Sequence, residues 1–390
     1  MARMTGVERG DVRSFKVFDA HCGDGTFLIT VNDDVYGIGN NGQDINILGL
    51  TGSYYRCGKV DRPVRVEKLS RKRIQEIRVG GIVGAALDVD GKLYWWGQDL
   101  AQEGEVRLPQ LATDKHRFQC VSCGSRMMAA LNVSGDVYVW GQHRGMESPY
   151  FMKHLEIEEP IISLSCGHDH LAMASVTGVV FTWGVGTDGQ RGYSSHPSSS
   201  EDDIVMEMNF DYPCETVICG TLATFCLTTA GELWACGGNG THCGVLGVDN
   251  ENYEVFFPEK VQLPGKVIFL NAMWNYCRQT IYCSLTTEGL YWWCEERCRV
   301  PSLAPDQSVA GLLNVFRSPH DSMILIDHNQ TALSESNYRS PIGFDELDIS
   351  LALSSKVCTK VNEIITHLRE MRNQINMSPV LSKIFEINSN

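Results

Sequence analysis

Three groups of residues in this 390-residue chain have the types and spacing for chemistry. Gly184-Val185-Gly186-Thr187-Asp188-Gly189 matches the Gly-x-Gly-x-x-Gly fingerprint of dinucleotide sites, which needs a helix N-terminus to hold a pyrophosphate. The following run, Gln190-Arg191-Gly192-Tyr193-Ser194-Ser195-His196-Pro197, cannot start a helix of useful length, so no cofactor is expected. His168-Asp169-His170 has the side chains for acid–base work or metal binding. Cys277, Cys283, Cys294 and Cys298, with His320 further on, are zinc-ligand types. No pair among them has Cys-x-x-Cys spacing, so they read as strand cysteines and no metal is expected. No Ser/His/Asp signature or phosphate loop appears, and no catalytic residue is assigned.

Two charged stretches point to partners instead. Between residues 56 and 73 stand Arg56, Lys59, Arg62, Arg65, Lys68, Arg71, Lys72 and Arg73, against only Asp61 and Glu67. In a chain of formal charge −14 this is a local positive patch that could steer an acidic partner; the plainer reading is a solvated loop. Between Tyr193 and Glu207, Ser198-Ser199-Ser200 precede Glu201-Asp202-Asp203, an arrangement an acidophilic kinase would prefer. Phosphorylation of Ser198, Ser199 or Ser200 would deepen an already negative loop.

The elements that must carry these residues come from a repeat. Gly135-Asp136-Val137-Tyr138-Val139-Trp140-Gly141 returns as Gly91–Gly97, Gly178–Gly184 and Gly231–Gly237, with worn copies from Asp33 to Gly39 and from Glu288 to Cys294. Each is a turn, a short apolar-aromatic strand, and a glycine that ends it. Upstream lies a second phrase, as in Val121-Ser122-Cys123-Gly124 leading to Ala129-Ala130-Leu131. From Gly80, Gly124, Gly167 and Gly220 it is 11 residues to the next turn glycine and six more to the strand-ending one. Fixed internal spacing with variable outer spacing means a rigid unit joined by tolerant loops. The strand-ending positions recur every 43 to 58 residues, a blade-sized period, and no helical pattern alternates with the strands. Ala85-Ala86 and Ala129-Ala130 suit crowded strands near an axis; Tyr and Trp suit the seams between sheets.

These phrases, Val-Ser-Cys-Gly and then Ala-Leu-x-x-x-Gly-x-Val-Tyr-x-Trp-Gly, resemble the repeat of the regulator of chromosome condensation family. Asn40-Asn41-Gly42-Gln43 with Leu48-Gly49-Leu50 resembles that family's continuation, as does Asp188-Gly189-Gln190-Arg191-Gly192. The resemblance covers roughly residues 12 to 330. It implies an all-β fold, a seven-bladed β-propeller of four-stranded antiparallel blades over 12–335, with the last blade, 309–333, degenerate. Ring closure is expected to draw on Phe15-Lys16-Val17-Phe18. The resemblance also implies that His170 is a buried structural histidine held by backbone groups. Several copies depart from the pattern: Cys294 replaces a glycine, and the Gly-Gln-Leu-Gly tail is missing from at least two blades.

From 342 to 390 the composition changes. Val357, Val361, Ile364, Leu368, Met371 and Ile375 step by 4, 3, 4, 3 and 4 residues, an apolar heptad seam ended by Ser378-Pro379. This helical tail is expected to dock on the propeller or on a partner helix. The acidic balance disfavours binding to nucleic acid. The N-terminus lacks a signal peptide, no apolar run reaches membrane-spanning length, and the 15 cysteines read as reduced thiols, so cytosol or nucleus is expected rather than secretion. The function expected is a non-catalytic scaffold for protein–protein interactions. The alternative is guanine-nucleotide exchange on a small GTPase, which the family resemblance implies.

Overall fold

The computed structural model describes residues 12–303, apart from 21–22, 43–44, 55–56, 98–107, 142–151, 194–201, 241–245, 251, 275–279 and 295–297. They form six four-stranded antiparallel sheets, each a meander in chain order. Sheet 1 holds β1 (Val12–Ala20), β2 (Gly23–Thr30), β3 (Val35–Asn40) and β4 (Lys59–Arg65); sheet 2 holds β5 (Ile74–Val79), β6 (Val83–Asp88), β7 (Leu93–Gly97) and β8 (Gln110–Leu111). Sheet 3 holds β9 (Phe118–Cys123), β10 (Met127–Asn132), β11 (Val137–Gly141) and β12 (Lys153–Leu155); sheet 4 holds β13 (Ile161–Cys166), β14 (His170–Ser175), β15 (Val180–Gly184) and β16 (Met206–Glu207). Sheet 5 holds β17 (Cys214–Cys219), β18 (Ala223–Thr228), β19 (Leu233–Gly238) and β20 (Glu254–Lys260); sheet 6 holds β21 (Val267–Trp274), β22 (Thr280–Thr286), β23 (Gly289–Cys294) and β24 (Cys298–Leu303). The expected seventh blade, 309–333, and the tail, 342–390, lie outside the described residues.

Burial follows strand rank. Every residue of β6, β10, β14 and β18 is buried, because a second strand has sheet neighbours on both edges and packed sheets on both faces. The small Ala85, Ala86, Ala129 and Ala130 fall here. The first strands β5, β9, β13 and β17 share one alternating pattern and lie against one another in order around the ring.

The tryptophans of the third strands close the seams. Trp96 lies over Gly84, meets Phe27 of sheet 1 edge-on at 6.0 Å, and donates its indole N–H to the Ile47 carbonyl at 2.6 Å. Trp293 stacks on Tyr282 at 5.4 Å and meets Phe225 of sheet 5 at 6.2 Å. Burying one such side chain contributes roughly 4–6 kcal/mol of transfer free energy, so these seams dominate ring stability.

Residues 15–18 lie in β1, where Phe15 pairs with Leu28 and Phe18 with Gly25 inside sheet 1. The far end of the chain that ring closure would join to them lies outside the described residues.

Candidate interaction site

Sheets are joined at two rims, and each recurring glycine serves one of them. At the first rim lie the turns between second and third strands. There the turn glycine's carbonyl accepts the first N–H of the next sheet: Phe118 to Gly91 at 2.8 Å, Ile161 to Gly135 at 2.9 Å, Cys214 to Gly178 at 2.9 Å and Val267 to Gly231 at 2.8 Å. Gly135 has φ 93°, and a Cβ there would lie 2.6 Å from the Pro160 side chain. At the opposite rim the turns after the first strands interlock: Ile82 donates to Ser125 O at 2.9 Å, Ser125 to His168 O at 3.0 Å, and His168 to Thr221 O at 2.9 Å. A Cβ on Gly124 would lie 2.5 Å from the Gly167 carbonyl oxygen. Between the rims, Ser122 Oγ accepts the Cys166 N–H at 3.0 Å and Ser165 Oγ accepts that of Cys219 at 2.9 Å. The 11-residue spacing is therefore the length of chain needed to run from one rim to the other.

The junction of sheets 1 and 2 is different, and the basic stretch lies there. Asp33 replaces the turn glycine and adopts φ 62°. Its carbonyl accepts the Arg71 N–H at 2.7 Å, while Arg13 bridges the Asp33 carboxylate at 3.1 Å and the Ile74 carbonyl at 2.8 Å. Arg65 chelates Asp34, 2.7 Å from Nη2, and pairs with Glu67; the Asp34 hydrogen bond raises the Arg65 pKa. Arg73 pairs with Asp90 at 3.3 Å, and Arg71 lies 3.9 Å from Asp34. Lys59 lies 3.8 Å from Asp61, and Arg62 donates to the Tyr54 hydroxyl at 2.8 Å. The fold thus brings Asp34 and Asp90 from turns outside the stretch to cations that, along the chain, face only Asp61 and Glu67, while Asp33 pairs with Arg13. Lys68 and Lys72 are exposed at the end of this stretch. Arg71 and Arg73 both take left-handed backbone, φ 60° and 57°, at some cost to each residue.

Arg56, the serines Ser198, Ser199 and Ser200, and the heptad residues Val357, Val361, Ile364, Leu368, Met371 and Ile375 lie outside the described residues.

The chemical-looking groups take structural places. Residues 184–189 end β15 and continue into turns, Gly189 N–H to Gly186 O at 3.2 Å, with no helix to hold a phosphate. His170 is completely buried and is held by the next sheet through both a backbone group and a side chain: it hydrogen-bonds the backbone of Ala223, and its Nε2 lies 3.1 Å from Thr224 Oγ1. Thr224 spends its own proton on the Gln190 carbonyl at 2.7 Å, so it must accept from His170 Nε2–H, which fixes a neutral tautomer. Burial, opposed by Asp169, lowers the His170 pKa to about 4. The thiols behave alike: burial pushes Cys123 and Cys219 up to about 12, and Cys166 well above its ordinary value. Cys226 is raised by its hydrogen bond with Cys214 and by burial. Thiols held protonated and covered are packing groups, not nucleophiles.

The structure gives the repeat's continuation a role and adds Asn239 and Leu246 to it. Asn41 Oδ1 accepts the Leu48 N–H at 2.8 Å, and Asn239 Oδ1 accepts that of Leu246 at 3.0 Å, each seven residues on. Gly49 then abuts Pro109 and Trp96, and Gly247 abuts Pro301 and Trp293, so each loop seats the next sheet's tryptophan. In sheet 4 Arg191 stands where Leu48 and Leu246 do. It is buried, its guanidinium donating to the Ile204 carbonyl at 2.6 Å and lying over the Tyr193 ring.

An array of four-stranded meanders with interlocked first strands defines the protein as a β-propeller. Its structural neighbours are propellers of the regulator of chromosome condensation family. Human WBSCR16 is similar at TM-score 0.60 and 19% identity, over 76% of this chain and 84% of that one. Yeast RCC1 (Prp20), in a structure bound to Kap60, is similar at TM-score 0.56 and 19% identity, over 75% and 70% of the two chains. Prp20p from Saccharomyces cerevisiae, in a structure reported with its binding properties to Gsp1p and histones, gives TM-score 0.54 and 17% identity over 74% and 76%. No protein-family model and no curated protein matches the sequence.

Proposed function

We propose that the chain is a non-catalytic propeller scaffold that mediates protein–protein interactions in a regulatory complex. The observation that supports it is a division within each sheet. In sheets 2 to 5 the first and second strands all have six residues and the third five or six, and the rims lock them to their neighbours. The fourth strands run from two residues (β8, β16) to seven (β4, β20) and carry the charged loops. A rigid ring with free outer loops is suited to displaying binding surfaces. The partner-facing cations are Lys59, Arg62, Lys68 and Lys72, with the helical tail of 342–390 as a second element for a partner helix, in the cytosol or nucleus. Affinity purification of the full chain and of a chain ending at 340 tests it. Partners retained by the shorter chain belong to the propeller and those lost belong to the tail; no specific partner for either ends the proposal.

A second reading is favoured by one comparison, the Prp20p structure reported with binding properties to Gsp1p. On that reading a propeller face accelerates guanine-nucleotide release from a small GTPase. Release of labelled nucleotide across a panel of small GTPases decides: acceleration above background supports exchange, and none leaves the scaffold.

A further inference from the structure

The turn between second and third strands keeps its geometry around the ring and changes its chemistry. Val31, Val89, Val133 and Val176 hold one equivalent turn position in sheets 1 to 4 and are 54%, 42%, 67% and 61% exposed. Turns favour Gly, Asn, Asp, Ser and Pro, so four exposed valines here need a reason. Thr229 and Thr287 hold the position in sheets 5 and 6. Their amides make the bond the valines make, to the carbonyl just before the first strand. Thr229 reaches Pro213 at 3.0 Å and Thr287 reaches Lys266 at 2.9 Å; Val89 reaches Arg73 at 3.1 Å and Val133 reaches Arg117 at 3.0 Å. Threonine has valine's shape with a hydroxyl in place of one methyl. The backbone accepts either, so the apolar choice in sheets 1 to 4 serves whatever lies outside. Single exposed valines are ordinary; an arc at one register position on one rim is a patch.

The middle of the arc, in sheets 2 and 3, is also electropositive, whereas Asp33 and Asp34 follow Val31, and Glu158 and Glu159 precede Pro160, whose carbonyl accepts the Val176 N–H. Segments 71–73, 89–92 and 114–117, around Val89 and Val133, carry six cations against Asp90 and Asp114, in a chain of net charge −14. Its occupant should therefore be acidic and studded with apolar side chains. The chain contains such a segment: residues 340–355 include Phe344, Leu347, Ile349 and Leu351 beside Asp345, Glu346 and Asp348, with no Lys, Arg or His. Forty residues, 304–343, separate it from the end of β24. Ten of them, 334–343, still span about 33 Å when extended, enough to cross a rim even if another repeat uses the rest.

We infer that the valine–arginine arc, centred on the rim of sheets 2 and 3, is the docking seat of the chain's own acidic segment 344–351. The inference rests on reading the propeller as a binding scaffold and gives one of its faces a resident that an outside partner must displace. The seat pairs apolar side chains with the valines and carboxylates with Arg117, and with Arg73 where they displace Asp90 from it. Exposed Coulomb contacts are weak singly, so the valines are expected to carry most of the affinity and the arginines the orientation.

The test uses the full chain and a fluorescein-labelled peptide of residues 340–355, followed by anisotropy. On a chain carrying Phe344→Ser and Leu347→Ser, which empties the seat, the peptide binds saturably. On the unsubstituted chain it binds at least about tenfold more weakly, because the seat is filled. Adding Val89→Thr and Val133→Thr to the emptied chain weakens binding about tenfold or more, with an unchanged unfolding midpoint. The inference is overturned by no binding to the emptied chain, by equal binding to filled and emptied chains, or by indifference to the threonines. It is equally overturned if sedimentation shows that the unsubstituted chain fills the seat by dimerising. Failure of peptide binding alongside retained outside partners sinks this inference alone; loss of all outside partners with peptide binding intact sinks the scaffold reading alone.

Discussion

At the junction of sheets 2 and 3 the Phe118 N–H donates straight to the Gly91 carbonyl, and no side chain is involved. At the junction of sheets 1 and 2 the equivalent carbonyl, that of Asp33, is taken by Arg71, and the first residue of β5 is reached through the Arg13 side chain. Both join neighbouring sheets at the same rim, but one uses backbone alone and the other adds charge. Where the glycine is present, this rim is joined by backbone alone and its side chains are free to be small and neutral. Where an aspartate replaces it, arginines are drawn in, and part of a basic patch becomes structural. A cluster of cations in a repeat protein is thus not a partner site until those replacing a lost staple are subtracted.

The sharpest way to break this comparison is to burden the glycines of regular junctions and restore the one that Asp33 replaces. Gly135→Val places a β-branched side chain at φ 93° against Pro160, and Gly124→Val drives one into the Gly167 carbonyl. Each is expected to cost about 3–5 kcal/mol, read from the midpoint of urea unfolding. Asp33→Gly removes a left-handed cost of about 1 kcal/mol and an ion pair worth about the same, so its midpoint should hardly move. If Gly135→Val proves as mild as Asp33→Gly, the backbone joint is not what holds these sheets.

His170 gives the next largest effect, and it belongs to the regular junctions. Its folded pKa, about 4, lies below the ordinary 6.5 because the buried ring must stay neutral. The stabilisation is complete above pH 6.5, declines as pH falls through that value toward 4, and is gone below it. The 2.5-unit gap corresponds to about 3 kcal/mol. Titrating urea stability from pH 7.5 to 4 should show this slope. His170→Gln should remove its share of the slope while keeping a donor for Thr224. A slope identical in both proteins would mean that the histidine is reached by solvent and charged.

Arg13→Ala probes the exceptional junction. Its ion pair and hydrogen bond are partly exposed, so a loss of about 1 kcal/mol is expected. Arg73→Ala removes only an exposed pair with Asp90 and should cost less than half of that. Equal losses would mean that Arg13 is not a joint.

The repeat made the sheets legible because both rims need residues without Cβ, and glycine at 11- and 6-residue steps is visible in any alignment of the chain with itself. Trp96 and Trp293 were legible as seam residues for the same reason. The surroundings of the basic stretch were not. Asp33, Asp34 and Asp90 lie outside it in sequence, and only the pairing of β3 with β4 and the fold of the next sheet bring them near. Thr224 was hidden as the partner of His170 because 54 residues separate them. Asn239 could have been found: its seven-residue step to Leu246 copies that of Asn41 to Leu48, but Gly240-Thr241-His242-Cys243 erases the Gly-Gln signal between them.

The smallest stability effect carries the most functional information. Lys68 and Lys72 are exposed and form no side-chain pair with the acids that Arg65, Arg71 and Arg73 engage, so Lys68→Glu with Lys72→Glu should shift the unfolding midpoint by less than about 0.5 kcal/mol. Reversing two charges at the edge of the patch should nevertheless slow association with an acidic partner several-fold at low salt, and the difference should shrink as ionic strength rises past the point where the Debye length is about 8 Å. Arg65→Glu should do the opposite, lowering stability by placing a third carboxylate beside Asp34 and Glu67 while changing association less per unit of charge. Stopped-flow association at two salt concentrations separates the two classes of cation. If all the substitutions slow binding equally and none moves the midpoint, the arginines at the first junction are partner residues after all, and the distinction between joint and surface does not hold there.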